Sequence, residues 1–265
     1  MPRVLPGLLI AALIGLAAGS LAGLLGIGGG VLLTPLFVLL LGMDQHRAQG
    51  VSLAALILPV GLPALLAYRK NGVHVHVRLV GMLLVGFVGG SAAGAWLAHQ
   101  IASRELRWAF VAFLLVSAWR TFQGTVRGGA DGPGDTSPTP VSHAKAARGI
   151  LIGLIAGVLS GLLGIGGAII ILPLLERFVG LKRLEAQATT LAMLLPPIGL
   201  PALFIYAKED TGLPWNVLGA VVVAFAIGAA GGGIYAQRIS QKGAKRVYAG
   251  FLVVVALLLL LGPSK

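Results

Sequence analysis

Long apolar runs bounded by short charged segments set the rhythm of this chain, covering residues 4–25, 48–68, 78–98, 106–119, 149–163, 186–207, 216–235 and 247–262. Most approach the roughly 20 residues a helix needs to cross about 30 Å of hydrocarbon. The apolar-polar alternation of a membrane β-barrel is missing from ten-residue windows. The pattern predicts an all-α polytopic membrane protein of about ten helical segments.

Composition sharpens this reading. Hydrophobic residues make up 57% and charged residues 11%, with a mean hydropathy of +0.95, against about 25% charge in a soluble domain. The lipid bilayer is therefore a partner. A net charge of +12 raises nucleic acid as another, but the basic residues are scattered through short loops, so none is expected. With no cysteine, disulfides and thiolate chemistry are excluded. Taken alone, residues 1–20 resemble a signal peptide, a reading that an internal repeat contradicts.

Shifting the sequence by 138 positions lays Gly23-Leu24-Leu25-Gly26-Ile27-Gly28-Gly29 on Gly161-Leu162-Leu163-Gly164-Ile165-Gly166-Gly167. In the same register Pro35 meets Pro173, Ala48-Gln49 meets Ala186-Gln187, Gly61-Leu62-Pro63 meets Gly199-Leu200-Pro201, Tyr68 meets Tyr206 and Phe87 meets Phe225. Ungapped matches at Gly, Pro, Gln and Tyr exceed what shared apolar composition produces. Two helical repeats follow, 1–122 and 145–265, joined by a flexible Gly-, Pro-, Ser- and Asp-rich linker at 123–144.

Orientation turns on residues 5–41, interrupted by the glycines of 26–30. After the break, eleven residues reach only about 16 Å, half the hydrocarbon, before Asp44-Gln45-His46-Arg47. A segment that crosses fully gives parallel repeats and an even split of Lys and Arg. One that dips in and returns leaves only Arg3, Arg47, Arg104, Arg107, Lys208 and Lys265 opposite the other fourteen. The positive-inside rule favours the second arrangement: two inverted repeats with re-entrant or half-spanning helices, a cytoplasmic linker and both termini outside.

A helix that begins in mid-membrane presents unpaired N–H groups and the positive end of its dipole, which attract anions. Inversion brings two such ends together from opposite leaflets. The expected substrate site is therefore Gly26, Ile27, Gly28, Gly29 and Gly30 with Thr34, facing Gly164, Ile165, Gly166, Gly167 and Ala168. Gly86, Gly90, Gly94, Gly228 and Gly232 read instead as close helix packing. A nucleotide loop is excluded because no Lys-Ser/Thr follows the glycines.

Gln49 and Ser52, with Gln187, Thr189 and Thr190, add neutral donors suited to an oxyanion, although helix-to-helix hydrogen bonding would also use them. Pro59, Pro63, Pro197 and Pro201 are expected hinges. All eight acidic residues fall in or beside loops, so no carboxylate relay is evident. His74 and His76 lack a third ligand and read as a solvated pair rather than a metal site. No catalytic triad or carboxylate pair is present, and no cofactor is called for, which points to transport rather than an enzyme.

On Gly23-Leu-Leu-Gly-Ile-Gly-Gly-Gly-Val-Leu-Leu-Thr-Pro35, its echo Gly161-Leu-Leu-Gly-Ile-Gly-Gly-Ala-Ile-Ile-Ile-Leu-Pro173, and the Ala48-Gln49 and Ala186-Gln187 helix openings, the chain resembles the sulfite exporter TauE/SafE family, also called the toluene-sulfonate uptake permease family. The resemblance covers nearly the whole chain apart from the linker. It implies bacterial inner-membrane transport of sulfite, organosulfonates or related sulfur anions, with the site at the two glycine breaks, Gln49 and Gln187. Ala168 and Leu172 replace the Gly30 and Thr34 of the first copy, so the half-sites are not chemically equal. The expected function is export of a small sulfur oxyanion. The alternatives are uptake of carboxylates or other sulfur compounds, and a non-transporting subunit of a membrane complex.

Overall fold

The computed structural model describes residues 4–25, 29–55, 62–126, 138–196, 215–235 and 241–261. Every regular element among them is helical. They are α1 Val4–Leu25, α2 Gly30–Leu41, α3 Gln45–Ala55, α4 Leu62–Lys70, α5 Val77–Gln100, α6 Ser103–Val126, α7 His143–Leu163, α8 Ala168–Leu174, α9 Arg183–Met193, α10 Trp215–Tyr235 and α11 Gln241–Leu261. The seven-residue α8 runs directly into a π turn, Leu175–Val179. Pro173, one residue before α8 ends, supplies no N–H, which favours a wider turn at this point.

Among the described residues, three helices are long and apolar enough to cross a membrane: Val77–Gln100, His143–Leu163 and Trp215–Gly232. Two of them, α5 and α7, form one tight pair, and α10 forms another with α1. A Cβ on Gly86, Gly90 or Gly94 would collide with the carbonyl oxygens of Ile150, Leu154 and Val158 of α7, and one on Gly157 or Gly161 with those of Phe87 and Ser91 of α5. Residue numbers rise together along both helices, so the pair runs parallel. In α1 and α10, Gly15 and Gly19 face the carbonyls of Val221 and Phe225, while Gly228 and Gly232 face those of Leu16 and Ser20. That pair is parallel too. Glycine is needed at these positions because the two backbones touch, the close packing expected of Gly86, Gly90, Gly94, Gly228 and Gly232.

Contacts between helix ends fix the remaining segments. The His46 ring, at the start of α3, lies 2.9 Å from Ala98 O and 2.8 Å from Ser103 Oγ, so the α2–α3 corner meets the C-terminal end of α5. Arg148 Nη1, near the start of α7, donates to Phe178 O at 2.9 Å, so the chain after α8 returns beside the beginning of α7. Arg78 Nη1 lies 3.3 Å from His143 Nε2, which sets the starts of α5 and α7 side by side. Arg107 of α6 donates to Leu259 O near the end of α11.

Large buried side chains, among them Phe37, Phe87, Phe110 and Phe225, fill the centre. Outward positions such as Leu9, Leu13, Val223 and Ile227 are exposed and apolar, as a lipid-facing surface requires. The four tryptophans, Trp96, Trp108, Trp119 and Trp215, are all exposed.

Both ends of the segment 123–144 fall within described helices. Helix α6 continues to Val126, and α7 begins at His143, with the Ser142 hydroxyl capping Lys145 N. Polar residues at those ends serve as helix-terminal residues and caps, a use that composition alone does not distinguish from linker.

Candidate functional site

The site is built around the end of α7. Gly164 closes that helix in the left-handed conformation (φ 70°), its N–H donating to Ser160 O at 2.7 Å. Gly166 and Gly167 also have positive φ, 74° each, after which Gly167 O accepts the amides of Ile170 and Ile171 to begin α8. Side-chain-bearing residues resist that conformation, so the Gly-Ile-Gly-Gly sequence folds here as a break and not as continuous helix.

The break leaves Gly164 O beyond its helix, and side chains of the first half receive it. Thr34 Oγ1 of α2 donates to it at 3.1 Å, and Ser52 Oγ of α3 lies 2.9 Å away. The same Ser52 Oγ is 3.3 Å from Gly30 O, in the first turn of α2. One hydroxyl therefore touches both glycine breaks. Gln49 packs on the same point, since a Cβ at Gly164 would lie 2.9 Å from its Cα, Cβ and Cγ. Thr34, Gln49 and Ser52 are wholly buried, and Ile165 and Ala168 nearly so.

The corresponding residues of α9 are arranged differently. Gln187 Oε1 accepts from the Tyr68 hydroxyl of α4 at 2.9 Å. Thr190 Oγ1 turns back to Ala186 O of its own helix at 2.7 Å, a local bond rather than a reach across the site. Thr189 Oγ1 and Ser160 Oγ are buried and make no hydrogen bond to any described residue.

The structure thus brings Gly30, Thr34, Gln49 and Ser52 onto Gly164, while Gln187, Thr189 and Thr190 stand on a separate helix. Gly26, Ile27, Gly28, Pro59, Pro197 and Pro201 lie outside the described residues. Pro63 lies in α4, beside residues outside those described.

Three features escaped the sequence reading. Phe87 and Phe225 press on Gly167 and Gly29, and their match at the 138-residue offset was the available signal. Ser160 is a hydroxyl buried one turn before the break. Glu185, near the start of α9, is only 2% exposed. It accepts from the Thr139 amide at 2.9 Å, the Thr139 hydroxyl and the Lys182 amide at 3.3 Å. It also stands 3.5 Å from His76 Nε2. Burial pushes the Glu185 carboxyl up, but these hydrogen bonds and His76 outweigh it and hold it below the usual carboxylate range. Burial pushes the His76 imidazole below 6.5; Glu185 opposes that shift, and His74 adds to it. His74 is exposed as expected, whereas His76 is not fully solvated, because Glu185 draws it in. Among the described residues no group of three or more His, Cys, Asp or Glu could hold a metal ion.

Around Gly164 the site offers backbone amides, hydroxyls and an amide side chain, with no charged residue among those placed there. Such a set is made of uncharged hydrogen-bonding groups.

The family model described as sulfite exporter TauE/SafE matches residues 6–259. A probable membrane transporter protein of Haemophilus influenzae is 26% identical over 272 residues, covering 94% of this chain and 97% of its own. One from Xylella fastidiosa (strain Temecula1) is 27% identical over 248 residues, covering 90% and 89% respectively. The probable membrane transporter protein YunE of Bacillus subtilis is 29% identical over 183 residues, 62% of this chain and 65% of that protein. No solved structure matches the chain. A family match across nearly the full length, on a chain whose described elements are all helical, makes this protein a membrane transporter of the TauE/SafE family.

Proposed function

We propose that the protein exports a small sulfur oxyanion, sulfite or an organosulfonate, across the bacterial inner membrane through a pocket between its two glycine breaks. The observation that carries this reading is the position of Ser52 Oγ, within 3.3 Å of Gly30 O and 2.9 Å of Gly164 O. Both interruptions meet at one buried hydroxyl. Thr34 and Ser52 occupy carbonyl oxygens there, which leaves the amide ends of α2, and of α8 with its π turn, to offer positive charge to a guest.

The halves, 1–122 and 145–265, are read as inverted repeats. Support comes from the ends of the helical segments: α2 leads to the C-terminal end of α5 through His46, whereas the chain after α8 leads to Arg148, at the opposite end of the same pair. On this reading both termini face the periplasm and residues 123–144 the cytoplasm. An inside-negative potential then drives anions outward by about 2.3 kcal/mol per charge per 100 mV, without a coupling ion.

The test is flux in sealed proteoliposomes holding sulfite or propanesulfonate, with the potential clamped by potassium and valinomycin. Release should accelerate with a lumen-negative potential. Absence of flux for every sulfur oxyanion, with carboxylates moving instead, would overturn the substrate assignment. A C-terminal tag protected from proteases added to whole spheroplasts would overturn the topology.

A further inference from the structure

Phe87 of α5 and Phe225 of α10 occupy equivalent positions in the two halves and are each 1% exposed. Each ring lies on the glycine break of the opposite half. A Cβ on Gly167 would fall against Cε2 and Cζ of Phe87, and one on Gly29 against the same atoms of Phe225. Gly29 and Gly167 are themselves equivalent. Their backbones are not: Gly167 has φ 74°, but Gly29 has φ −75°, which any residue adopts. Backbone freedom therefore does not explain glycine at position 29, whereas the ring of Phe225 does.

Behind the rings the chain has no room to retreat. Phe87 O meets Gly157 of α7, and Phe225 O meets Gly19 of α1, in the two helix pairs packed backbone to backbone. A ring can leave its glycine only by turning about its own side-chain bonds, between discrete rotamers. Two rigid aromatic faces on fixed backbones, one over each break, define how much space is left beside the converging glycines.

We propose that Phe87 and Phe225 determine specificity, as paired aromatic stops that cover the two breaks and limit the substituent a sulfur oxyanion can carry through. This rests on the oxyanion transport proposed above, and the experiment separates the two. The full chain in proteoliposomes is assayed with sulfite, methanesulfonate and propanesulfonate. Phe87→Leu and Phe225→Leu should each raise the propanesulfonate-to-sulfite flux ratio about tenfold, the scale of a methylene or more gained in an apolar pocket. Phe110→Leu, equally buried but in α6, should leave the ratio unchanged. An unchanged ratio in both variants, or an equal rise in Phe110→Leu, overturns the proposal. Should the Leu variants fail to fold, Phe87→Tyr decides: a lowered ratio supports the assignment and a constant one overturns it.

A second readout needs no substrate. The chain has no cysteine, so Ser52→Cys places a single thiol between the breaks. It should resist a methanethiosulfonate reagent beside Phe87 and react once Phe87→Ala is added. Equal protection in both backgrounds overturns the proposal. If the unaltered protein carries no sulfur oxyanion, the proposed function falls, and this labelling alone decides whether the rings cover the breaks.

Discussion

At the first break Gly29 holds an ordinary backbone conformation and opens a twelve-residue helix, α2. At the second, Gly164, Gly166 and Gly167 all have positive φ, and the helix that follows lasts seven residues before widening into a π turn. The side chains differ in the same direction. Thr34 and Ser52 of the first half both reach Gly164 O in the second. Their counterparts are Leu172, which has no donor, and Thr190, which bonds within its own helix. Duplication supplied two similar glycine sequences, and divergent positions such as Leu172 give the halves unequal side chains. Of the equivalent pair Gly29 and Gly167, only the second has a positive φ, and the first half provides the polar groups that hold Gly164.

Gly167→Ala should break this comparison most severely. A left-handed conformation costs a side-chain-bearing residue about 1–2 kcal/mol, and displacing the Phe87 ring from its packed site adds about 1–3 kcal/mol. Thermal unfolding in detergent should show a strongly destabilised, transport-inactive protein. Gly29→Ala carries only the ring term, so it should lose less, and adding Phe225→Leu should recover part of the loss because the two residues touch. Equal losses at the two glycines, or no recovery in the double variant, would show that the breaks do not differ as described.

A smaller effect sharpens the polar half of the comparison. Thr34→Val with Ser52→Ala removes both side-chain donors from a buried carbonyl, which costs about 1–3 kcal/mol. Thr190→Val removes a hydroxyl from a carbonyl already inside a helix, so its cost should stay near 0.5 kcal/mol, the low end for a net hydrogen bond. Denaturant unfolding of the two variants would measure the difference. A Thr190→Val loss as large as that of the pair would mean that both halves contribute equally.

What the sequence made readable was the part governed by local chemistry. Apolar run lengths announced the long helices, and Gly-Ile-Gly-Gly announced the break, because consecutive glycines both weaken a helix and permit positive φ. The small-residue faces of α5 and α10 were legible for the same reason. Partner choice was not. Thr34 and Ser52 lie 130 and 112 residues from Gly164, and nothing local distinguishes a threonine that reaches across, Thr34, from one that bonds its own helix, Thr190. Phe87 and Phe225 carried a repeat signal, but a phenylalanine in an apolar helix looks like core until its neighbour is known. Glu185 was passed over because a lone acid beside a loop is ordinarily solvated; only the fold reveals Thr139, Lys182 and His76 closing around it.

That carboxylate gives the mildest test, applied where α3 and α9 begin. Asp44 accepts from Arg47 N at the start of α3 as an exposed cap, whereas Glu185 is buried at the start of α9. The pKa of His76 is depressed on folding from 6.5, and that of Glu185 from 4.5. For a depressed group, stability is fully present above the unfolded value and is lost as pH falls towards the folded one. Acid should therefore loosen the start of α9 in two steps, beginning below 6.5 through His76 and continuing below 4.5 through Glu185. Hydrogen exchange at residues 183–187 should rise under acid more than at residues 45–49, and Glu185→Gln should remove the lower step while leaving the upper. Parallel acid responses at both helix starts would assign the transition to the molecule as a whole rather than to this buried cluster.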